Sequence, residues 1–113
     1  MTTDFAHRLV ELAEDKQASE IILLDIQKVS TIADYFIICS ADNDRQVQAI
    51  VDHIDEKINQ EFKLNANREG EPQTGWMILD YGAVVIHVFR NDQRDYYRLD
   101  QLWNKAAPVI VVQ

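Results

Sequence analysis

One amphipathic stripe constrains the fold of this chain more than any other feature. Apolar residues recur every three or four positions in the middle of the sequence, at Val47, Ile50, Val51, Ile54, Ile58 and Phe62. The opposite positions carry polar residues such as Asp52, Asp55, Glu56 and Asn59. This spacing is typical of a helix that buries one face and exposes the other to water. The sequence therefore predicts a long helix packed on a core, with Ser40 or Asp42 as its N-terminal cap.

Short apolar runs on both sides of this helix predict strands. Ile21–Ile26 and Tyr35–Ser40 precede the helix, and Trp76–Asp80 and Val84–Phe89 follow it. Only residues 27–34 join the first two runs, which is too short for a parallel crossover, so these strands should be antiparallel if they are adjacent.

The second half of the chain carries turn signals. Tyr81-Gly82-Ala83 separates the last two runs, and a three-residue loop with glycine predicts a hairpin. Lys63–Gly75 has no periodicity and is interpreted as a loop. The order of strand, long helix, loop and strand predicts a right-handed βαβ crossover to the strand that begins at Trp76.

The two ends of the chain complete the prediction. Thr2 or Thr3 should cap a first helix that ends near Lys16. Arg94–Trp103 is predicted to form a helix or a helical turn, and Val109–Val112 is predicted to be either a fifth strand or a docked tail. The predicted fold class is α/β, with a central mixed sheet packed by helices in one domain over residues 1–113.

Composition narrows the classes of partner and compartment. Nineteen acidic residues against eleven basic ones give a net charge of −8. This balance disfavours phosphate-led binding to nucleic acid and favours a basic partner, although it also serves solubility. Cys39 is the single cysteine, so no intramolecular disulfide forms and a buried, inert thiol is expected. We expect no targeting peptide, no membrane span and a bacterial cytoplasmic location.

Five segments carry a family resemblance. They are ADYFIICS, DRQVQAI, WMILDYG, VVIHVF and YYRLDQLW, in that order between about Ala6 and Trp103. Together they resemble the ribosomal silencing factor family, also called the iojap-like family. The resemblance implies a nucleotidyltransferase-like fold without transferase activity. It also implies binding to ribosomal protein fourteen (uL14) of the large subunit, which blocks joining of the small subunit and lowers translation when nutrients are limiting.

Aromatic and acidic residues at strand ends are the candidate partner contacts. Aromatic side chains bury much area at little entropic cost and are frequent in binding hot spots. Carried over from the resemblance, the candidates are Trp76, Asp80, Tyr81, His87, Tyr96, Leu99, Asp100 and Trp103. The resemblance favours an open sheet face that carries them. Such a face would be an apolar patch, and apolar patches rarely stay uncovered, so we expect a symmetric homodimer in the free protein. Ala83 departs from the pattern, because the family often has aspartate there.

The alternative is an enzyme, or an enzyme remnant, that binds a nucleotide where Ser40 meets the long helix. Nucleotidyltransferases place Gly-Ser at a helix start and hold Mg²⁺ with paired carboxylates on the next strand. Here Cys39 replaces the glycine, and the next predicted strand offers only Asp80. Asp42 and Asp44 are explained by helix capping. The sequence therefore predicts no catalysis, cofactor or metal, and a generic interaction module remains a third possibility.

Overall fold

The computed structural model describes residues 2–29, 31–97 and 107–112. The elements are, in chain order, α1 (Thr2–Asp15), β1 (Ser19–Asp25), β2 (Tyr35–Ala41), α2 (Asp44–Phe62), β3 (Asn67–Glu71), a 3-10 turn (Pro72–Thr74), β4 (Trp76–Asp80), β5 (Val84–Arg90), α3 (Asn91–Tyr97) and β6 (Ala107–Val112). The six strands form one sheet in the order β3-β4-β5-β2-β1-β6. This confirms the predicted α/β class with a mixed sheet.

Strand directions follow from the connections. β1 and β2 are antiparallel neighbours, as the short link predicts, and β4 and β5 form the predicted hairpin. β2 and β5 run parallel at the centre of the sheet. The segment at Val109–Val112 is a strand, because β6 pairs antiparallel with β1.

The crossover through α2 differs from the prediction. β4 runs antiparallel to β5 and therefore to β2, so it cannot close a parallel βαβ unit. The helix instead leads to β3, which pairs antiparallel with β4 and so runs parallel to β2. The interpretation of residues 63–75 as a loop is therefore wrong. β3 escaped detection because its five residues are exposed and polar, apart from glycine, so no apolar alternation marks it.

The two helix starts also differ from the prediction. Asn43 caps α2, and its side chain accepts a hydrogen bond from the backbone N–H of Gln46. Thr2 and Thr3 lie within the first turn of α1. The Thr3 hydroxyl is instead 3.0 Å from the Tyr35 hydroxyl, a hydrogen bond that joins α1 to β2.

Apolar clusters lie on both faces of the sheet. α1 and α2 cover one face, where their buried residues pack against alternate residues of the strands, including Ile37, Leu79 and Ile86. We call this the helix face. The intervening residues, among them Phe36 and Phe89, form a second cluster on the other face. Since strand residues alternate between faces, successive apolar side chains of β4 and β5 belong to one cluster and then to the other.

Candidate protein-binding surface

One face of the β4–β5 hairpin carries three of the candidate residues, which are Trp76, Asp80 and His87. Trp76 pairs with Phe89, Ile78 with His87, and Asp80 with Val85, so their side chains share the face opposite α1 and α2. Trp76, Ile78 and Asp80 are partly exposed. We call these three residues the β4 strip.

Trp76 is held in a fixed orientation by its neighbours. Its indole Nε1 donates a hydrogen bond to Nδ1 of His87 at 3.2 Å. Its ring stacks on Phe89, with centroids 4.9 Å apart and planes inclined by 26°. An aromatic side chain fixed before binding loses little entropy on association, so Trp76 is preorganised as an anchor.

His87 lies beneath the β4 strip and supports it. The side chain is only 6% exposed, and the Phe36 ring lies 4.8 Å from the imidazole. Because Nδ1 accepts from Trp76, Nε2 carries the proton, and this buried atom has no hydrogen-bond partner within the described ranges. Burial lowers the pKa of His87 to about 4, with a smaller opposing effect from Asp80. The expectation of an open face is therefore wrong at His87, since aromatic rings pack around it.

Asp80 shapes the turn that follows the β4 strip. Its carboxylate accepts a hydrogen bond from the backbone N–H of Gly82 at 2.7 Å. Gly82 has φ of +85°, a conformation that glycine adopts without strain. The carbonyl of Ala83 accepts from the N–H groups of Asp34 and Tyr35 at 2.8 and 3.1 Å, which joins the turn to the start of β2.

Tyr81 points to the helix face. Its hydroxyl donates a hydrogen bond to Asp55 of α2 at 3.1 Å, and its ring meets Phe5 of α1 edge-on at 5.5 Å. Burial, with the Asp55 carboxylate, raises the pKa of Tyr81. Tyr81 and Trp76 therefore lie on opposite faces and do not form one patch, although Tyr81 remains partly exposed. A contact from Tyr81 to a partner stays a prediction.

Asp55 also fixes β3, the element that sequence reasoning missed. Arg68 of β3 forms salt bridges with Asp52 and Asp55, each at 3.0 Å. The backbone N–H of Ala66 donates to Asp55 as well, at 3.3 Å. These bonds hold β3 against α2. The i, i+3 spacing of Asp52 and Asp55 was visible in the sequence, but their partner was not.

The remaining candidates lie in the C-terminal part of the chain. Tyr96 belongs to α3. Leu99, Asp100 and Trp103 lie outside the described residues, so their assignment as partner contacts stays a prediction.

The proposed nucleotide position at Ser40 is closed by an arginine. Arg94 donates to Ser40 Oγ at 2.9 Å and to the Glu20 carbonyl at 2.5 Å, and Ser40 is only 1% exposed. Cys39 beside it is fully buried, and burial raises its thiol pKa to about 12, which makes the thiol inert. The Ser40 hydroxyl is therefore engaged inside the protein and does not face a ligand.

The acidic residues at the start of α2 have structural partners. Asp44 pairs with Arg90 at 2.5 Å, and Asp42 accepts from the Asn91 side chain at 3.1 Å. Among the residues that the structure describes, no group of three His, Cys, Asp or Glu side chains could hold a metal ion. This arrangement differs from the paired metal-binding carboxylates of a nucleotidyltransferase.

We expect no change in melting temperature when a nucleoside triphosphate and Mg²⁺ are added. A ligand that binds only the native state would raise the melting temperature by mass action. Differential scanning fluorimetry over a range of nucleotide concentrations measures this. A saturable increase that Asp42→Ala removes would contradict this prediction and favour the enzyme alternative.

Comparisons with known proteins agree on one family. Residues 2–113 match the family described as "Ribosomal silencing factor during starvation". The "Ribosomal silencing factor RsfS" of Bacillus subtilis is 41% identical over 93 residues, which cover 82% of this chain and 79% of that protein. The mouse "Mitochondrial assembly of ribosomal large subunit protein 1" is 28% identical over 99 residues, which cover 84% of this chain and 43% of that protein.

A crystal structure of a Chromobacterium violaceum protein has the same fold. It superposes with a TM-score of 0.87 at 27% identity, over 97% of this chain and 93% of the other. The fold and the sequence match therefore extend over the same elements, including the hairpin with the β4 strip. This chain belongs to the ribosomal silencing factor family.

Proposed function

We propose that this protein silences translation by binding the large ribosomal subunit through ribosomal protein uL14 and blocking the small subunit sterically. The family supports a ribosome-associated role, and the name of the mouse relative refers to the large subunit. The names of the relatives denote regulation rather than catalysis. A folded body of 13.1 kDa at the subunit interface excludes the small subunit by its volume, so no reaction is required.

The observation that carries the proposal is the preorganised Trp76 on the same face of β4 as the partly exposed Asp80. An aromatic anchor and a carboxylate on one face suit a basic partner protein, because the ring supplies buried area and the charge supplies orientation. We propose Trp76 and Asp80 as direct contacts. Tyr96, Leu99, Asp100 and Trp103 complete the proposed interface, with Tyr81 at its turn.

The compartment follows from the partner. We propose the bacterial cytoplasm, where ribosomes reside and where the buried Cys39 thiol stays reduced. No helix in the described ranges is long and apolar enough to span a membrane.

The protein should sediment with free large subunits and be scarce on joined ribosomes. Sucrose-gradient centrifugation of a lysate that contains the tagged protein, at physiological salt, measures the distribution. Adding purified small subunits to the large-subunit complex should yield fewer joined ribosomes than a protein-free control. If the protein stays at the top of the gradient, the proposed function is wrong.

We also propose that the free protein forms a two-fold dimer through the β4 strip. The partly exposed Trp76 and Ile78 supply apolar area, but a two-fold axis would bring the carboxylates of both copies together. Salt screens this repulsion, so the dimer fraction should rise with ionic strength, whereas ribosome binding should fall. Light scattering at several concentrations in low and high salt measures the dimer. A strict monomer in both salts would refute it.

A further inference from the structure

We propose that β3 supplies a second row of contacts beside the β4 strip, and that this surface accepts a protein segment with lysine or arginine next to an apolar side chain. The surface consists of the β4 strip together with Glu69 and Glu71. The inference rests on the proposed function and deepens it, because it names the chemistry of the contact and residues that no sequence pattern indicated.

The register of the sheet places the two glutamates next to the anchor. Glu69 pairs with Ile78 and Glu71 with Trp76 across the β3–β4 ladder. Residues directly opposite in an antiparallel pair have Cβ atoms about 5 Å apart on the same face. Both glutamates are exposed, so their carboxylates border the partly buried apolar strip on its outer side. Asp80 is the end of the strip next to the turn.

Charges are sorted between the two faces of β3. Arg68 directly precedes Glu69 and pairs with Leu79, so its side chain points to the helix face, where it forms salt bridges with Asp52 and Asp55. Neither Glu69 nor Glu71 forms an ion pair with a residue in the described ranges. The β3 and β4 residues on the Trp76 face include no lysine or arginine. This face of β3 and β4 therefore carries the carboxylates of Glu69, Glu71 and Asp80, and these two strands place no lysine or arginine among them.

The carboxylates on this face favour a basic protein over nucleic acid or a membrane as the partner. Nucleic acid and anionic membranes present phosphates, which the carboxylates repel. A basic protein segment gains attraction at the rim and buried area at Trp76 and Ile78, the arrangement of an interface with an apolar centre and a polar border.

The partner should use the face of β3 and not its free edge. Gly70 in the middle of β3 has φ of +84°, outside the extended range of a regular strand. A Cβ built at this position would clash with the carbonyl oxygen of Trp76, so the chain passes close to β4 there. Short, charged and irregular edge strands resist pairing with another strand. The edge is therefore a poor template for strand addition, while the face remains accessible.

Charge reversal tests the surface on the ribosome. We expect the double variant Glu69→Lys/Glu71→Lys to bind purified large subunits at least roughly tenfold more weakly in a pelleting assay, because like charges then face each other. The matched control is Glu14→Lys/Glu56→Lys, which reverses two exposed glutamates of α1 and α2 and should stay within about twofold of wild type. Equal loss in both variants, or wild-type binding by the β3 variant, overturns the inference while leaving the proposed function intact.

A second measurement does not depend on the ribosome. In a ¹H–¹⁵N NMR titration, a synthetic peptide of alternating lysine and valine should shift the amide signals of Glu69, Glu71 and Ile78 in the wild-type protein. A glutamate–valine peptide should shift none of these signals, and the Glu69→Lys/Glu71→Lys variant should lose the response to the basic peptide. If wild type fails to pellet but shows these shifts, the proposed function fails and the surface stands. Shifts elsewhere, or none, overturn the surface.

Discussion

Replacing Trp76 with alanine is expected to weaken binding to the large subunit by about 2 kcal/mol or more, which is roughly a 30-fold loss of affinity. The indole is fixed by its hydrogen bond to His87 and its stacking on Phe89, so the ring loses little conformational entropy when a partner binds. On the same face, Ile78 follows Trp76 along β4 and Glu71 lies opposite Trp76 on β3, so a partner on this face would bury the indole. Quantitative pelleting with purified large subunits measures the loss.

Truncation also removes the partner of a buried imidazole, so the fold must be checked. Trp76→Phe keeps a ring that can stack on Phe89 but lacks the N–H donor, and it should lose less affinity than alanine. Leu64→Ala is the matched control, since it shortens another exposed apolar residue that lies beyond the end of α2, and it should bind as wild type does. Wild-type affinity in Trp76→Ala, with an unchanged far-ultraviolet spectrum, would exclude Trp76 from the interface.

Acidification from pH 7.5 to pH 5 should reduce the free energy of unfolding by about 2 kcal/mol through His87 alone. The folded-state pKa of His87 is about 4, below the ordinary value of 6.5 that the unfolded chain keeps. Between these values the unfolded state binds the proton and the folded state does not. The contribution of His87 is therefore fully present above pH 6.5 and is lost as the pH falls toward 4. The full loss is about 3 kcal/mol.

A non-titrating variant isolates this effect. In His87→Asn, the amide oxygen can replace Nδ1 as the acceptor for Trp76, and the side chain carries no charge at any pH in the range. Urea unfolding at pH 7.5, 6 and 5 should show a smaller fall in stability for this variant than for wild type. His7→Gln is the control, because it removes an exposed histidine of α1. Its free energy of unfolding should fall between pH 7.5 and pH 5 as much as that of wild type. If the free energy of unfolding falls equally with pH in wild type and in His87→Asn, then His87 does not titrate as its burial implies.

Local patterns in the sequence were sufficient for most of the elements. The apolar stripe from Val47 to Ile58 became the buried face of α2, because helical spacing alone specifies which side chains share a face. The hairpin around Gly82 formed as its turn chemistry predicts. Alternation along Trp76–Asp80 by itself places Trp76 and Ile78 on one face and Met77 and Leu79 on the other, and the two apolar clusters divide in this way. These are contacts between near neighbours in the chain, which short-range patterns encode.

Other features depended on residues that are distant in the chain. β3 has no apolar alternation, and only its backbone pairing with β4 makes it a strand. The partners of Tyr81, which are Asp55 and Phe5, lie far away in the chain, and so does Arg94, which bonds to the buried Ser40. The sequence alone therefore determined the long helix α2, the hairpin and the alternation within β4. Only the tertiary structure decided that Tyr81 bonds to Asp55 and that Glu69 and Glu71 border the anchor, because these pairings depend on contacts that no local spacing records.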